Sequence, residues 1–285
     1  MINYSIIIPH YNCPDLLNRL LDSIPQRMDI EIVVIDDNSF LEKRPKVCRN
    51  DVKVIQLQAE ESKGAGYARN VGIKHAVGKW LLFADSDDYY INNFVSKLDD
   101  FKDSEYDIIF FDYDTNLISK ETSFQNRLTQ MLQGGKRDRA NFKHALNAPW
   151  NKMFRRKFIL DNNILFDEIP IHNDAYFVHK ASSLTDNFHY INDKLYFYEI
   201  NDNGITRKKK REVDDIIRSI TTTINTDKLK AKSGAWDCIP LSLSKQYKTD
   251  YGILFYYQQQ FRRVRHGLIG YMIKKFIYSR RLNHK

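Results

Sequence analysis

Cysteine is scarce in this sequence of 285 residues. Its three cysteines, Cys13, Cys48 and Cys238, stand far apart. An odd number at such wide spacing excludes a disulfide framework and a Cys-x-x-Cys metal site. A reducing cytosol is therefore the compartment that we expect.

Long apolar runs are also missing. No stretch approaches the roughly 20 apolar residues that a membrane-spanning helix needs. Residues 1–4 lead into an apolar run without the basic region and the cleavage site of a secretory signal. We therefore expect neither a transmembrane helix nor a signal peptide.

Glycine and proline are few, at 11 and 7 residues, whereas 42% of the residues are hydrophobic. These proportions exclude a collagen-like or disordered chain and indicate a globular protein with ample core. The length fits two domains, or one large α/β domain with a helical extension.

Charge is distributed unevenly. The net charge is +8, and residues 261–285 contain eight Lys and Arg residues and no acid. The rest of the chain is therefore neutral. A basic tail on a neutral body favours contact between the tail and an anionic surface, and it argues against a nucleic-acid groove across the fold.

Apolar runs alternate with helical patterns over the first 115 residues. Strands are predicted at residues 5–9, 31–36, 52–57, 80–84 and 107–111. Apolar residues at helical spacing predict helices at 14–24, 65–76 and 92–101. This alternation predicts an α/β fold with a mainly parallel sheet covered by helices on both faces. Ligands of such sheets bind beyond the carboxyl ends of the strands.

The second half of the chain is less regular. Residues 116–147 read as a loop or insertion, after which helices are predicted at 149–160 and 175–184 and strands at 188–191 and 195–198. A basic loop follows at 207–211, and the chain is predicted to be helical from about residue 212.

Acidic residues follow two of the predicted strands. Asp85, Asp87 and Asp88 end an apolar run, and carboxylates two residues apart can bind one Mg²⁺ or Mn²⁺ shared with phosphates. Asp36 and Asp37 can accept hydrogen bonds from a ribose or a pyrimidine imide. Turn formation and helix capping are the alternative in both places.

Two further sites lie at predicted helix starts. Gly64 and Gly66 precede Arg69, which can approach a phosphate or remain an ordinary surface arginine. The spacing does not match the dinucleotide-binding glycine motif. Asp174 heads the helix at 175–184 and can serve as an N-cap or as a general base.

Taken in order, these segments resemble the family-2 glycosyltransferases of the GT-A fold, bacterial enzymes that extend surface polysaccharides from nucleotide-sugars. The matching segments are SIIIPHYN (5–12), EIVVIDDNS (31–39), GYARNVG (66–72), GKWLLFADSDD (78–88), WNKMF (150–154) and NDAYF (173–177). The resemblance implies an inverting transfer of a sugar, with a UDP-sugar as the expected donor. It divides the chain into a catalytic domain at 1–205, with a nucleotide-binding half at 1–115 and an acceptor half at 116–205, and an extension at 206–285.

The resemblance also implies site residues. Donor-binding residues would be Pro9, Tyr11, Asp37, Arg69, Asp85 and Ser86. Of these, Pro9, Tyr11 and Asp37 would hold the nucleobase, Asp85 the ribose region and Arg69 the diphosphate. Asp87 would bind Mn²⁺ or Mg²⁺, and Asp174 would deprotonate the acceptor hydroxyl.

Two positions depart from the family pattern. Asn173 stands where a Glu is common, and Glu199 stands where a basic residue is frequent. Arg207 and Lys208 are therefore predicted to supply phosphate contacts.

The resemblance implies partners and a location as well. The acceptor would be a glycan or lipid-linked glycan of a capsule, lipopolysaccharide or exopolysaccharide. Residues 267–278 interleave apolar and basic residues, which suits an anionic membrane surface or a packed helix with a solvated face. We expect a cytoplasmic protein on the inner face of the bacterial cytoplasmic membrane, without a nucleic-acid partner.

Two other functions remain as alternatives. A nucleotidyltransferase would favour a Gly-rich, Lys-containing signature near the N-terminus, which residues 6–12 lack. A non-catalytic protein that binds nucleic acid or membranes should carry its charge across a face of the fold.

Overall fold

The computed structural model describes residues 1–58, 62–116, 128–200, 212–240, 243, 250–251, 253–263 and 265. Its strands are β1 Tyr4–His10, β2 Ile30–Asp36, β3 Val52–Gln56, β4 Trp80–Phe83, β5 Tyr89–Tyr90, β6 Ile108–Thr115, β7 Lys152–Arg155 and β8 Phe188–Tyr198. Its helices include α1 Pro14–Asp22, α2 Ala65–His75, α3 Phe94–Asp99, α4 Lys136–Lys143, α5 Arg156–Asp161, α6 Asn173–Leu184, α7 Val213–Lys232 and α8 Ile253–Arg263.

The strands form one sheet in the order β3-β2-β1-β4-β7-β6-β8-β5. Strands β3, β2, β1 and β4 are parallel neighbours, and β6 is parallel to β8. Strand β7 runs antiparallel to both β4 and β6, and β5 runs antiparallel to β8. The predicted α/β class with a mainly parallel sheet is confirmed, and the second half of the sheet is mixed.

Alternate residues of β1 show why the sheet needs helices on both faces. Ile6 and Ile8 belong to one hydrophobic cluster, which includes apolar side chains of α1. Ile7 belongs to a second cluster with Ile73 of α2. Because both faces are covered, the strand is apolar along its length instead of alternating between apolar and polar residues.

Three sequence predictions differ from the structure. The helix predicted at 149–160 is instead β7 followed by α5, because residues 152–155 pair between β4 and β6. The strands predicted at 188–191 and 195–198 are one continuous strand, β8. The interval 116–147 contains helical residues at 128–133 as well as α4.

A helix is present where the sequence predicts one from about residue 212: it is α7, which packs on α6. Ile216, Ile220 and Ile224 of α7 form a small cluster with Tyr256 of α8. Of the helices that the structure describes, none is both long enough and apolar enough to cross a bilayer. The basic loop at 207–211 and the segment 267–278 lie outside the described residues.

A buried ion pair joins the two C-terminal helices. Arg263 of α8 donates through Nε to Asp227 of α7 at 3.0 Å, and through Nη2 to the carbonyl of Pro240 at 2.7 Å. Both charged side chains are fully shielded from solvent. Removal of one partner from such a pair leaves an uncompensated charge in the interior.

We expect Arg263→Met to lower the free energy of unfolding by about 3–5 kcal/mol in a urea titration, because Asp227 is then buried without its cation. Arg262→Met is the matched control, since Arg262 is partly exposed and donates to Thr221 at 3.1 Å. The double variant Asp227→Leu, Arg263→Met should regain much of the loss. Equal losses in the Arg262 and Arg263 variants would contradict this account.

Candidate active site

Three polar segments meet at the carboxyl edge of the parallel strands. Because β1 lies between β2 and β4, the residues that follow these strands are neighbours in space. His10 Nδ1 is 2.9 Å from Asp36 Oδ1, which links the ends of β1 and β2. Cys13 Sγ is 3.1 Å from Ser86 Oγ, which links the β1 loop to the loop after β4.

Asp37 is buried and holds the turn that precedes α2. Its Oδ1 accepts from the backbone N–H of Lys63 at 2.8 Å, and its Oδ2 accepts from that of Gly64 at 2.7 Å. Gly64 has a φ of +87°, a value that favours glycine. A carboxylate has about four acceptor positions, so capacity remains for a ligand donor. Pro9 is half-buried in β1, and the Tyr11 side chain after it is 46% exposed.

Arg69 connects the loop after β4 to the start of α6. Its side chain lies in the interior and donates through Nη2 to Asp85 at 2.5 Å and through Nη1 to Asn173 at 2.9 Å. Its guanidinium also lies 5.3 Å from the ring centre of Phe166. The interpretation of Arg69 as an ordinary surface arginine is therefore wrong.

Gly66 lets the start of α2 approach the segment that leads into α6. A Cβ on Gly66 would lie 2.1 Å from the backbone oxygen of Asp167 and 3.0 Å from the Cβ of Asn173. The start of α2 can therefore pack directly on the segment that leads into α6. This contact lets Arg69 reach Asn173.

Asp174 occupies the first turn of α6, beside Asn173. Burial raises the pKa of its carboxyl group, the charge of Arg69 opposes this rise, and the charge of Asp85 adds to it. Asp174 and Asp85 therefore belong to one electrostatic cluster, although 89 positions of sequence separate them.

The sequence suggests no role for Lys152 of β7, which lies in the segment WNKMF (150–154). Its side chain is fully buried, and Nζ donates to the carbonyl of Ala148 and to Asn151 Oδ1, both at 2.6 Å. Desolvation lowers its pKa to about 7, and the charge of Asp174 opposes this shift. A buried amine in the sheet is thus coupled to Asp174 by charge, and the sequence gives no signal for it.

The three carboxylates of the loop after β4 differ in their exposure to solvent. Asp85 and Asp87 are partly exposed, whereas Asp88 is fully buried and accepts from the Tyr196 hydroxyl and from the backbone N–H of Glu199, both at 2.8 Å. Burial and the charges of Asp85 and Asp87 raise the pKa of Asp88 to about 9. Asp88 therefore anchors the loop to the end of β8.

The donor set of this loop fits a hard divalent cation. Within the described ranges, no group of three or more His, Cys, Asp and Glu side chains has the geometry of a metal site. Mg²⁺ is commonly held by one or two carboxylates together with phosphates of a substrate. Partly exposed carboxylates near an arginine match that mode of binding.

Glu199 has a basic neighbour, although it replaces a basic residue of the family pattern. Its carboxylate is 2.5 Å from Arg19 Nη1, and Arg19 Nη2 donates to the main-chain oxygen of Asp87. Arg19 also lies over the ring of Tyr89 at 5.2 Å. The predicted phosphate contacts of Arg207 and Lys208 fall outside the described residues.

We expect Gly66→Ala to lower the free energy of unfolding by about 1–3 kcal/mol, because the added methyl group overlaps the Asp167 carbonyl. Gly135→Ala is the matched control, since a Cβ there meets no atom within 4 Å and its φ is −74°. Thermal and urea unfolding measure both variants. A Gly66→Ala protein as stable as Gly135→Ala would contradict the close approach.

Comparison with known proteins identifies the family. The model of the family described as Glycosyl transferase family 2 matches residues 5–161, more than half of the chain. The poly(ribitol-phosphate) β-N-acetylglucosaminyltransferase TarS of Staphylococcus aureus is 28% identical over 70% of this chain and 35% of its own. An Escherichia coli UDP-Glc:α-D-GlcNAc-diphosphoundecaprenol β-1,3-glucosyltransferase, WfaP, is 33% identical over 41% of this chain and 47% of its own. This chain thus spans less than half the length of either relative.

Solved structures show the same fold. A crystal structure of Staphylococcus aureus TarS residues 1–349 with UDP-GlcNAc has a TM-score of 0.71 and 20% identity, and the match covers 96% of this chain and 88% of that one. A mannosyltransferase from Pyrobaculum calidifontis in complex with GDP-Man and Mn²⁺ has a TM-score of 0.52 and 13% identity, with 96% and 86% covered. The chain belongs to glycosyl transferase family 2 and has the GT-A fold.

Proposed function

We propose that this protein transfers a sugar from a nucleotide-sugar, with a UDP-sugar as the donor, to a hydroxyl of a growing bacterial surface glycan. The observation that carries the proposal is the link from Asp85 through Arg69 to Asn173, the neighbour of Asp174. The proposal is supported because this link brings the acidic loop near Asp174. The UDP-GlcNAc complex of TarS supports a UDP-sugar donor.

The donor nucleotide would bind along the carboxyl edge of the parallel strands. Pro9, Tyr11 and Asp37 would hold the nucleobase, and Asp37 can accept from an imide N–H in addition to the turn that it holds. Asp85 would contact the ribose, with Ser86 beside it. The exposed face of Tyr11 suits stacking on a base.

The diphosphate would lie between Arg69 and the loop after β4. Two of the five N–H donors of Arg69 are used by Asp85 and Asn173, and Nε meets no described acceptor. The second N–H groups of Nη1 and Nη2 would donate to a phosphate oxygen, whereas Nε is buried. A fixed cation at this position stabilises the charge that develops on the departing diphosphate.

Asp87 would hold Mn²⁺ or Mg²⁺, the cofactor of this proposal. The bound ion would act as a Lewis acid toward the diphosphate. The Mn²⁺ in the Pyrobaculum mannosyltransferase supports such a cofactor. Arg19 supports the chain at this place, because it donates to the main-chain oxygen of Asp87.

Asp174 would accept the proton of the acceptor hydroxyl as that oxygen attacks the anomeric carbon. Attack from the face opposite the diphosphate would invert the anomeric configuration. A base needs its ionised form, which Arg69 favours, and its basicity rises with the pKa, which burial raises. Burial and the charge of Arg69 thus shift the pKa of the Asp174 carboxyl group in opposite directions.

The acceptor would be a capsular, lipopolysaccharide or exopolysaccharide glycan, free or lipid-linked. The name of WfaP specifies a diphosphoundecaprenol-linked acceptor for that relative. A lipid-linked acceptor would place this protein at the inner face of the cytoplasmic membrane, with the basic segment 267–278 toward the lipid. Residues 1–205 would form the catalytic domain and residues 206–285 its extension.

The decisive experiment is a donor screen that measures nucleotide release in the presence of Mn²⁺. We expect UDP release from one UDP-sugar, its loss with EDTA, and its return when Mn²⁺ is added in excess. Release of pyrophosphate would instead support a nucleotidyltransferase. Salt-sensitive nucleic-acid binding without turnover would contradict an enzymatic role.

We expect Asp87→Ala to weaken Mn²⁺-dependent UDP binding at least about tenfold in isothermal titration calorimetry, because the cation loses its carboxylate. UDP binding without metal should change little. Asp100→Ala, at an exposed acid beyond α3, is the control and should bind as the unaltered protein does. Retention of full Mn²⁺-dependent binding by Asp87→Ala would rule out Asp87 as the ligand.

We expect Asp174→Asn to retain UDP binding and to lose about 10²–10⁴-fold in the rate of transfer, because the amide cannot accept the proton. Asp161→Asn is the control, since Asp161 is exposed and paired with Lys157. Transfer at the unaltered rate in Asp174→Asn would assign the base to another residue.

A further inference from the structure

The segment 166–172 leads into α6 and precedes Asp174, and hydrogen bonds hold it from two sides. On the first side lies Asn70 of α2, which is buried. Its Nδ2 donates to the carbonyl of Phe166 at 3.0 Å, and its Oδ1 accepts from the backbone N–H of Phe166 at 2.8 Å. The conformation of the segment therefore depends on α2, the helix that also carries Arg69.

Helix α7 holds the segment from the second side. Thr222 Oγ1 donates to Asp167 Oδ2 at 2.5 Å, and Ser219 Oγ is 2.6 Å from His172 Nδ1. Ser219 and Thr222 are both buried, and residues that are three positions apart lie on the same face of a helix. One face of α7 thus binds the segment near both of its ends.

Asp167 connects Thr222 to the start of α6. Its backbone N–H donates to the main-chain oxygen of Asn173 at 3.1 Å. The side-chain oxygen of Asn173 in turn accepts from Arg69 at 2.9 Å. A series of hydrogen bonds therefore runs from α7 through the segment to the buried guanidinium, and Asp174 is the residue that follows Asn173.

The conformation of His172 makes the start of α6 dependent on its neighbours. Its φ of +58° lies in the left-handed region, which is unfavourable for residues other than glycine. A residue keeps such a conformation where the surrounding structure holds it. Because His172 is the N-cap residue of α6, its backbone sets the direction in which the helix begins. The contact with Ser219 thus acts two residues before Asp174.

Apolar packing alone does not fix this arrangement. Ile171 packs on the apolar cluster between α7 and α8. Hydrophobic contact is non-directional, so it keeps α7 and the segment together without setting their register. Hydrogen bonds have preferred distances and angles, so the hydroxyl groups of Ser219 and Thr222 can set it.

We propose that Thr222 and Ser219 are positioning residues for sugar transfer, which hold the segment 166–172 so that Asp174 reaches the attacking hydroxyl. This inference rests on the proposed role of Asp174 as the base. A displacement of about 1 Å at such a group can lower the rate about 10²-fold. The proposed donor-binding residues belong to other elements, so the loss should fall on the rate and not on UDP binding.

Three substitutions in α7 separate the hydroxyl group from its packing. Thr222→Val removes the hydroxyl and retains the branched shape, whereas Thr222→Ser retains the hydroxyl. Thr223→Val is the matched control, because the Thr223 hydroxyl donates to the main-chain oxygen of Ser219 within α7 at 3.0 Å.

The rate is measured as UDP release from the UDP-sugar that the donor screen identifies, without added glycan. Water is then the acceptor: the bond from the anomeric carbon to UDP breaks, a bond to the water oxygen forms, and Asp174 would accept the proton. We expect Thr222→Val to lower kcat at least about tenfold, while the KM for the donor and the Kd of UDP with Mn²⁺ stay within about twofold.

Thr222→Ser should keep most of the kcat, and Thr223→Val should keep all of it. An unchanged kcat in Thr222→Val would overturn the proposal. An equal loss in Thr222→Ser would overturn it as well, because the hydroxyl would then not be the cause. If Thr222→Val does not fold, Ser219→Ala takes its place, and an unchanged kcat in that variant would overturn the proposal.

Hydrogen-deuterium exchange of the full chain tests the positioning without any ligand. In peptides that cover residues 166–177, we expect Thr222→Val to exchange at least about tenfold faster than the unaltered protein. Thr222→Ser and Thr223→Val should exchange as the unaltered protein does. Equal exchange in Thr222→Val would overturn the positioning. If the unaltered protein releases no UDP from any UDP-sugar, the proposed function fails, and the exchange rates still decide whether Thr222 holds the segment.

Discussion

The geometry of the candidate site depends on one buried cation, Arg69. A guanidinium in the interior must be paired and hydrogen-bonded to be tolerated, and Asp85 and Asn173 provide those bonds. Because Asp85 follows β4 and Asn173 begins α6, the pairing fixes the loop after β4 against the start of α6. The close packing at Gly66 is what allows this reach. The position of Asp174 beside Asn173 follows directly from the same interaction.

Negative charge is concentrated where β4 ends, and two arginines pair with part of it. Arg69 pairs with Asp85, and Arg19 pairs with Glu199. Burial, as the main cause, raises the pKa of Asp88 to about 9. The raised pKa favours the uncharged form of this carboxyl group, and the uncharged form is not repelled by its acidic neighbours. An added divalent cation would relieve this repulsion, and an added diphosphate would in turn require that cation. The electrostatics of the loop therefore agree with a metal-assisted donor site as proposed.

The carboxyl edge of β1 also holds a buried pair of polar side chains, His10 and Asp36. His10 and Asp36 are inaccessible to a ligand, since both are buried against each other. Cys13 connects this pair to the acidic loop, because its backbone N–H donates to His10 Nε2 at 3.3 Å and its Sγ is 3.1 Å from Ser86 Oγ. This arrangement arises because parallel strands deliver all their end residues to a single rim.

The sequence by itself determined the parallel half of the sheet, since continuous apolar runs such as β1 and β2 must be covered on both faces. It also placed the polar residues after those strands on one edge. Only the tertiary structure decided that residues 152–155 form β7, because pairing with β4 and β6 outweighs their helical pattern. The sequence likewise could not predict which residues pair with Arg69, or that Asp88 and Lys152 are buried. Local spacing records which face of an element is apolar, whereas pairing and burial depend on segments that meet only when the chain folds.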